Sequence, residues 1–200
     1  MKKMMFIMVL SAITVLTLSL SVFAGDVAHF DVKARIGSTS QLTVNIGHAT
    51  TANPIPVFGQ TAVDFGTLAL INGSFQPSDG GFGVVDVGVN SNAATWTVTH
   101  TVSPVALSGA PTTTLNNNIN VTFVRQPIST GSPSQLNGGF LSYALSNNFP
   151  VTNTNLGTGF YLRIFYGIAS GTNDANGVAV IPATQAVGSY LGTVTLTLTP

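Results

Sequence analysis

Apolar and polar positions alternate with a period of two along most of this 200-residue chain, and past the first two dozen residues no stretch holds a helical 3.6-residue period. The first alternating run puts Ala28, Phe30, Val32, Ala34 and Ile36 on one face and His29, Asp31, Lys33 and Arg35 on the other. A polar turn, Gly37-Ser38-Thr39-Ser40, leads to a second run in which Leu42, Val44 and Ile46 alternate with Thr43 and Asn45. Asn53-Pro54-Ile55-Pro56 interrupts the pattern, which resumes as a short predicted strand over Val63-Asp64-Phe65-Gly66-Thr67-Leu68. Between Gly73 and Gly83, Pro77 and paired glycines predict a turn-rich loop.

The second half repeats the theme. Val85, Val87 and Val89 form a strand closed by Asn90-Ser91-Asn92, and Trp96, Val98, His100 and Val102 then alternate with threonines. Bulky residues on one side and threonine on the other suit a half-buried strand. Ile119, Val121 and Phe123 follow, then a loop from Pro127 to Gly139, a short strand from Phe140 to Leu145 and a second loop from Phe149 to Gly159. Phe160 to Ile168 is apolar on both faces apart from Arg163, which predicts a central strand. A turn at Gly171–Gly177 and a short edge at Val178–Ile181 precede the last run, where Val194, Leu196 and Leu198 alternate with Thr193, Thr195, Thr197 and Thr199. Eight to ten strands separated by turn signals predict an all-β protein, a β-sandwich of immunoglobulin type.

The N-terminus changes the picture by adding an export signal. Lys2 and Lys3 precede an apolar run from Met4 to Phe23, and Val22 and Ala24 are the small residues of a cut ahead of Gly25. Three parts are therefore expected: a signal peptide over 1–24, an N-terminal extension over 25–37 and a sandwich domain over 38–200. No membrane span is expected once the signal is removed. The chain has no cysteine, which excludes a lipid-anchored lipoprotein and disulfides. Six basic and six acidic residues balance, and the basic ones form no stripe, so neither nucleic acid nor an anionic membrane surface is an expected partner. So few charges predict a poorly soluble monomer, a penalty that burial against other copies removes.

The run from Ala28 to Ile36 is then the informative element. After cleavage it is a tail that the sandwich does not need, yet it alternates too regularly for a disordered leader. Burying Phe30, Val32 and Ile36 with the two alanines would supply roughly 5–10 kcal/mol before ordering costs. It can complete its own sheet, or it can insert into a neighbour's, the donor-strand form of β-augmentation.

Three segments bear on that choice: Phe30-Asp31-Val32-Lys33-Ala34-Arg35-Ile36 with Leu42-Thr43-Val44, then Phe65-Gly66-Thr67-Leu68, then Gly188-Ser189-Tyr190-Leu191 running on to Leu198. In order along the mature chain they resemble subunits of archaic chaperone–usher pili and the spore-coat-protein-U-like family. The resemblance implies an incomplete immunoglobulin-like fold, with an apolar groove beside the C-terminal strand. A periplasmic chaperone would fill the groove until an outer-membrane usher exchanges it for the next subunit's N-terminal strand. Val194, Leu196 and Leu198 would line the acceptor groove, and Ala28, Phe30, Val32, Ala34 and Ile36 would be the donor residues. The implied product is a homopolymer on the cell surface that serves adhesion or biofilm formation. Family members carry an early disulfide that this chain lacks, and by position Leu42 and Val89 stand where its cysteines would be.

Other chemistries find little footing. His29, His48 and His100 are the only histidines, no Gly-x-Ser-x-Gly elbow is present, and six scattered aspartates offer no evident carboxylate pair. An enzyme is not expected, nor a cofactor. Asn173-Asp174-Ala175-Asn176-Gly177 and Ser78-Asp79-Gly80-Gly81 read as turns and not as calcium loops, so no metal is expected. The competing function is a secreted monomeric module that binds carbohydrate or a surface through Trp96, Tyr143, Tyr161 or Tyr166.

Overall fold

A computed structural model of the chain describes residues 39–136, 141–145 and 148–200, all within the unit Ser38–Pro200. The predicted signal peptide and N-terminal extension lie outside the described residues. In chain order the strands are β1 (Ser40–Thr50), β2 (Val57–Gln60), β3 (Leu68–Ile71), β4 (Ser74–Pro77) and β5 (Gly81–Ser91). Next come β6 (Thr97–Val102), β7 (Ala106–Leu107), β8 (Ala110–Thr114), β9 (Ile119–Pro127) and β10 (Leu141–Ala144). After β11 (Phe149–Thr152) a single helical turn, α1 (Asn153–Leu156), leads to β12 (Phe160–Ile168), β13 (Ile181–Pro182), β14 (Tyr190–Leu191) and β15 (Val194–Thr199).

The fold is all-β. One sheet of six strands has the order β10-β9-β12-β5-β1-β2, and a second of three has the order β11-β6-β15, with every pairing antiparallel. Two smaller sheets, β13-β4-β3 and β14-β7-β8, add Ile181 to the core and pack Leu68, Phe75 and Tyr190 against it. Period-two alternation sorts the side chains. Val85, Val87, Val121, Phe123, Leu162 and Ile164 project from the large sheet into one buried cluster. Val98 and His100 of β6 and Val151 of β11 meet them from the small sheet, and the His100 ring stands edge-on to Phe123 at 5.2 Å between centroids. Each large side chain so buried contributes about 1.5–3 kcal/mol. As its two-sided apolar character predicts, β12 is central, paired on both flanks by β9 and β5.

Several boundaries differ from the sequence expectation. Val63 to Gly66 is irregular, and the strand begins only at Leu68. Asp64 accepts a hydrogen bond from the Gly66 N–H at 2.8 Å, a local bond that displaces a ladder bond. The expected loop from Gly73 to Gly83 contains β4, which pairs with β3 across Asn72-Gly73. Both turn residues have positive φ, 49° and 83°, the backbone an Asn-Gly hairpin turn uses. The expected loop from Phe149 to Gly159 likewise contains β11 and α1. Pro150 is tolerated because β11 is a lateral strand, and Thr152 caps α1 by accepting from the Asn155 N–H at 3.2 Å.

Near the C-terminus only Ile181 of the expected 178–181 edge pairs with β4, and the strand runs on to Pro182. The segment that the resemblance reads as one strand, 188–198, is two. β14 pairs with β7 and β15 with β6, and the break falls at Gly192, where a Cβ would come within 2.9 Å of the Val105 Cα. Ser103 holds the break by donating its N–H to the Thr193 carbonyl at 2.8 Å and accepting the Thr193 N–H on its hydroxyl at 2.7 Å.

Candidate functional site

The acceptor residues predicted from sequence are on β15, a lateral strand. Val194, Leu196 and Leu198 lie opposite Val102, His100 and Val98 of β6, so they share the face that points into the sandwich. Val98 and His100 are 1 % exposed, but Val194 is 38 % exposed and Leu196 and Leu198 are half-buried. On the other face Thr195, Thr197 and Thr199 stand opposite Thr101, Thr99 and Thr97, a cross-strand threonine ladder open to water.

The facing sheet has a matching lip. Leu42, Val44 and Ile46 of β1 oppose Val89, Val87 and Val85 of β5 and point inward, yet Val44 is 42 % exposed beside a fully buried Val87. β2 covers only the stretch from Ile46 to His48, with a bulge between Ile46 and Gly47. Among the described residues, the 40–45 half of β1 has no neighbour on its outer side, and neither does β15. The two strands approach one another across this margin, and Leu42 and Leu196 both pack on the shared core.

Lateral strands are ordinarily blunted by a lysine, a proline or a bulge. β15 carries none of these within Val194–Thr199, and its register against β6 is unbroken. The two lips hold no charged side chain, so the margin is an apolar, backbone-lined seam whose recognition chemistry is ladder hydrogen bonds and apolar contact. No family model matches the chain, and no curated protein or solved structure is significantly similar to it.

The donor residues Ala28, Phe30, Val32, Ala34 and Ile36 lie outside the described residues. Leu42 and Val89, the positions the resemblance assigns to a disulfide, are direct cross-strand partners on β1 and β5. The lip formed by Leu42, Val44 and Ile46 was not singled out from sequence. Its alternation was visible, but only the sheet pairing shows that β2 covers β1 from Ile46 to His48 and leaves the 40–45 half without an outer neighbour among the described residues.

The two histidines among the described residues have different surroundings. His100 is buried, with its Nε2 3.0 Å from the Tyr166 hydroxyl, and desolvation pushes its pKa down to about 4, so the ring is neutral near pH 7. His48 lies 3.4 Å from Asp79 at the surface. A hydrogen bond from the Gly81 N–H is the main cause holding Asp79 below the usual carboxylate value. Among the described residues no three His, Cys, Asp or Glu side chains are grouped to hold a metal ion, and no helix is long and apolar enough to cross a membrane. Of the aromatic residues considered for a binding platform, Tyr166 is buried and Trp96 and Tyr143 pack on the core, which leaves Tyr161 on the outer face of the large sheet.

Proposed function

We propose that the protein is a structural subunit of an extracellular fibre, an incomplete immunoglobulin-like sandwich whose open seam between β1 and β15 receives the 28–36 segment of the next copy. The observation that carries this reading is the pair of inward-facing but exposed apolar lips, Val44 on one side and Val194 on the other, flanking an unprotected edge. The chemistry of the segment matches. Ala28, Phe30, Val32, Ala34 and Ile36 offer apolar side chains to the seam, while Asp31, Lys33 and Arg35 would remain on the wet face. A strand seated between two sheets leaves only by breaking many contacts together, so the fibre would be kinetically stable.

In this reading the chain is exported through the periplasm and kept soluble by a chaperone strand in the same seam. An outer-membrane usher then exchanges that strand for the next subunit, and the fibre serves adhesion or biofilm formation. No catalytic, cofactor or metal role belongs to it. Purified fibres are expected to resist detergent at room temperature and to fall to monomers on heating. Deleting residues 25–36 should leave only capped or peptide-complemented monomers, and a synthetic 25–37 peptide should raise the melting temperature of the deleted protein. Fibres formed by the deleted chain would overturn the proposal.

A further inference from the structure

We propose that the outer face of the six-stranded sheet carries a binding site for a neutral pyranose sugar, in a trough over Gly88. The inference is independent of how the chain assembles. Thr43 and Asn45 on β1, Asp86 and Gly88 on β5, and Tyr161 on β12 all lie on the face opposite the core, because their sequence neighbours Leu42, Ile46, Val85, Val87 and Leu162 point into it. With Ile128, which is 73 % exposed at the rim, they line a cavity of about 390 Å³. That volume falls at the lower end of small-molecule sites.

Gly88 creates the trough, and the fold does not explain it. It sits within an eleven-residue strand, where glycine costs about 0.5–1 kcal/mol relative to alanine. Its φ is not positive, and a Cβ built on it would meet only the Thr43 Cβ at an ordinary 3.7 Å. Neither backbone geometry nor packing demands the missing side chain. With no bulge in the β1–β5 register there, a glycine of that kind leaves room for close approach by a ligand.

The walls specify what approaches. Tyr161 is held in place by Arg163, whose Nη2 donates to its hydroxyl at 3.0 Å and whose guanidinium lies 5.6 Å from its ring centroid. Arg163 also pairs with Asp86 through two hydrogen bonds of 2.7 and 2.8 Å, so the carboxylate charge is matched. Asp86 lines the trough, and a carboxylate oxygen that accepts one hydrogen bond has acceptor capacity for another. With Phe160 and Val89, which also line the cavity, the lining is two aromatic and two aliphatic residues facing a hydroxyl, an amide and a neutralised carboxylate. That set suits a ring with C–H faces and hydroxyl edges. An anionic sugar would meet Asp86 with no free cation in the lining.

The test is ligand-observed NMR titration of the purified full chain with methyl pyranosides and short neutral oligosaccharides, with sialylated and amino sugars as comparison arms. Saturable binding of neutral sugars is expected. Gly88→Val should weaken it on the order of tenfold or more, and Asn45→Ala severalfold, with melting temperatures close to that of the parent. If Gly88→Val does not fold, Asn45→Ala decides. The proposal is overturned by no saturable binding of a neutral sugar at millimolar concentration, by preference for anionic or amino sugars, or by a folded variant that binds as the parent does.

Discussion

At the scale of single residues, polar groups in or against the core set the pH and mutational response. The unfolded His100 imidazole titrates near 6.5 and the folded one near 4. Its contribution to stability is complete above pH 6.5 and is lost as pH falls through about 4, a loss of roughly 3 kcal/mol. Denaturant unfolding at pH 7 and pH 4.5 should show this loss in the parent and not in His100→Phe/Tyr166→Phe, which removes both members of the buried hydrogen bond. A second prediction concerns Asp86 and Arg163, whose side chains are 13 % and 14 % exposed. The hydrogen bonds that Arg163 donates to Asp86 raise its pKa above the usual value, against the effect of burial. Asp86→Ala should cost about 3 kcal/mol by stranding the guanidinium, while an apolar replacement of both partners should cost far less, as a double-mutant cycle of unfolding free energies will show.

Among the elements, the β3–β4 hairpin and the β1–β5 pair carry the sharpest expectations. Gly73 holds a φ of 83° with nothing within 4 Å of an added Cβ, so Gly73→Ala should cost about 1–2 kcal/mol through backbone strain alone. The same substitution at Gly88 has no such strain to introduce. Leu42 and Val89 are directly opposed, and directly opposed residues lie within disulfide reach. Leu42→Cys/Val89→Cys should oxidise spontaneously, lose its free thiols and gain about 2–4 kcal/mol in stability. The strands read best from sequence were β9, β12 and β15, where alternation or two-sided apolar character is continuous. β4 and β11 were missed because proline and short length concealed strands that exist only by pairing with β3 and β6.

For the molecule as a whole, stability and assembly are expected to separate at the seam. Val44 and Val194 are each about two-fifths exposed in the described fold, so replacing either with serine removes little burial there. A strand seated between them would bury both. Val44→Ser and Val194→Ser should therefore change the melting temperature of capped monomers by only a few degrees, and should lower markedly the temperature at which fibres dissolve in detergent. Equal losses in monomer and fibre would place these residues in the core of a closed sandwich.

Period-two alternation in the chain by itself determined the all-β class and the inward face of Val194, Leu196 and Leu198, and apolar residues on both faces determined the central place of Phe160–Ile168. Each of these follows from local chemistry that one strand displays alone. Only the tertiary structure decided that β15 is a lateral strand and that β2 leaves half of β1 uncovered, that Leu42 faces Val89, and that Gly88 opens a trough beside a matched Asp86–Arg163 pair. Sheet order and cross-strand register join residues dozens of positions apart, and a side-chain period carries no information about which strand lies next to which.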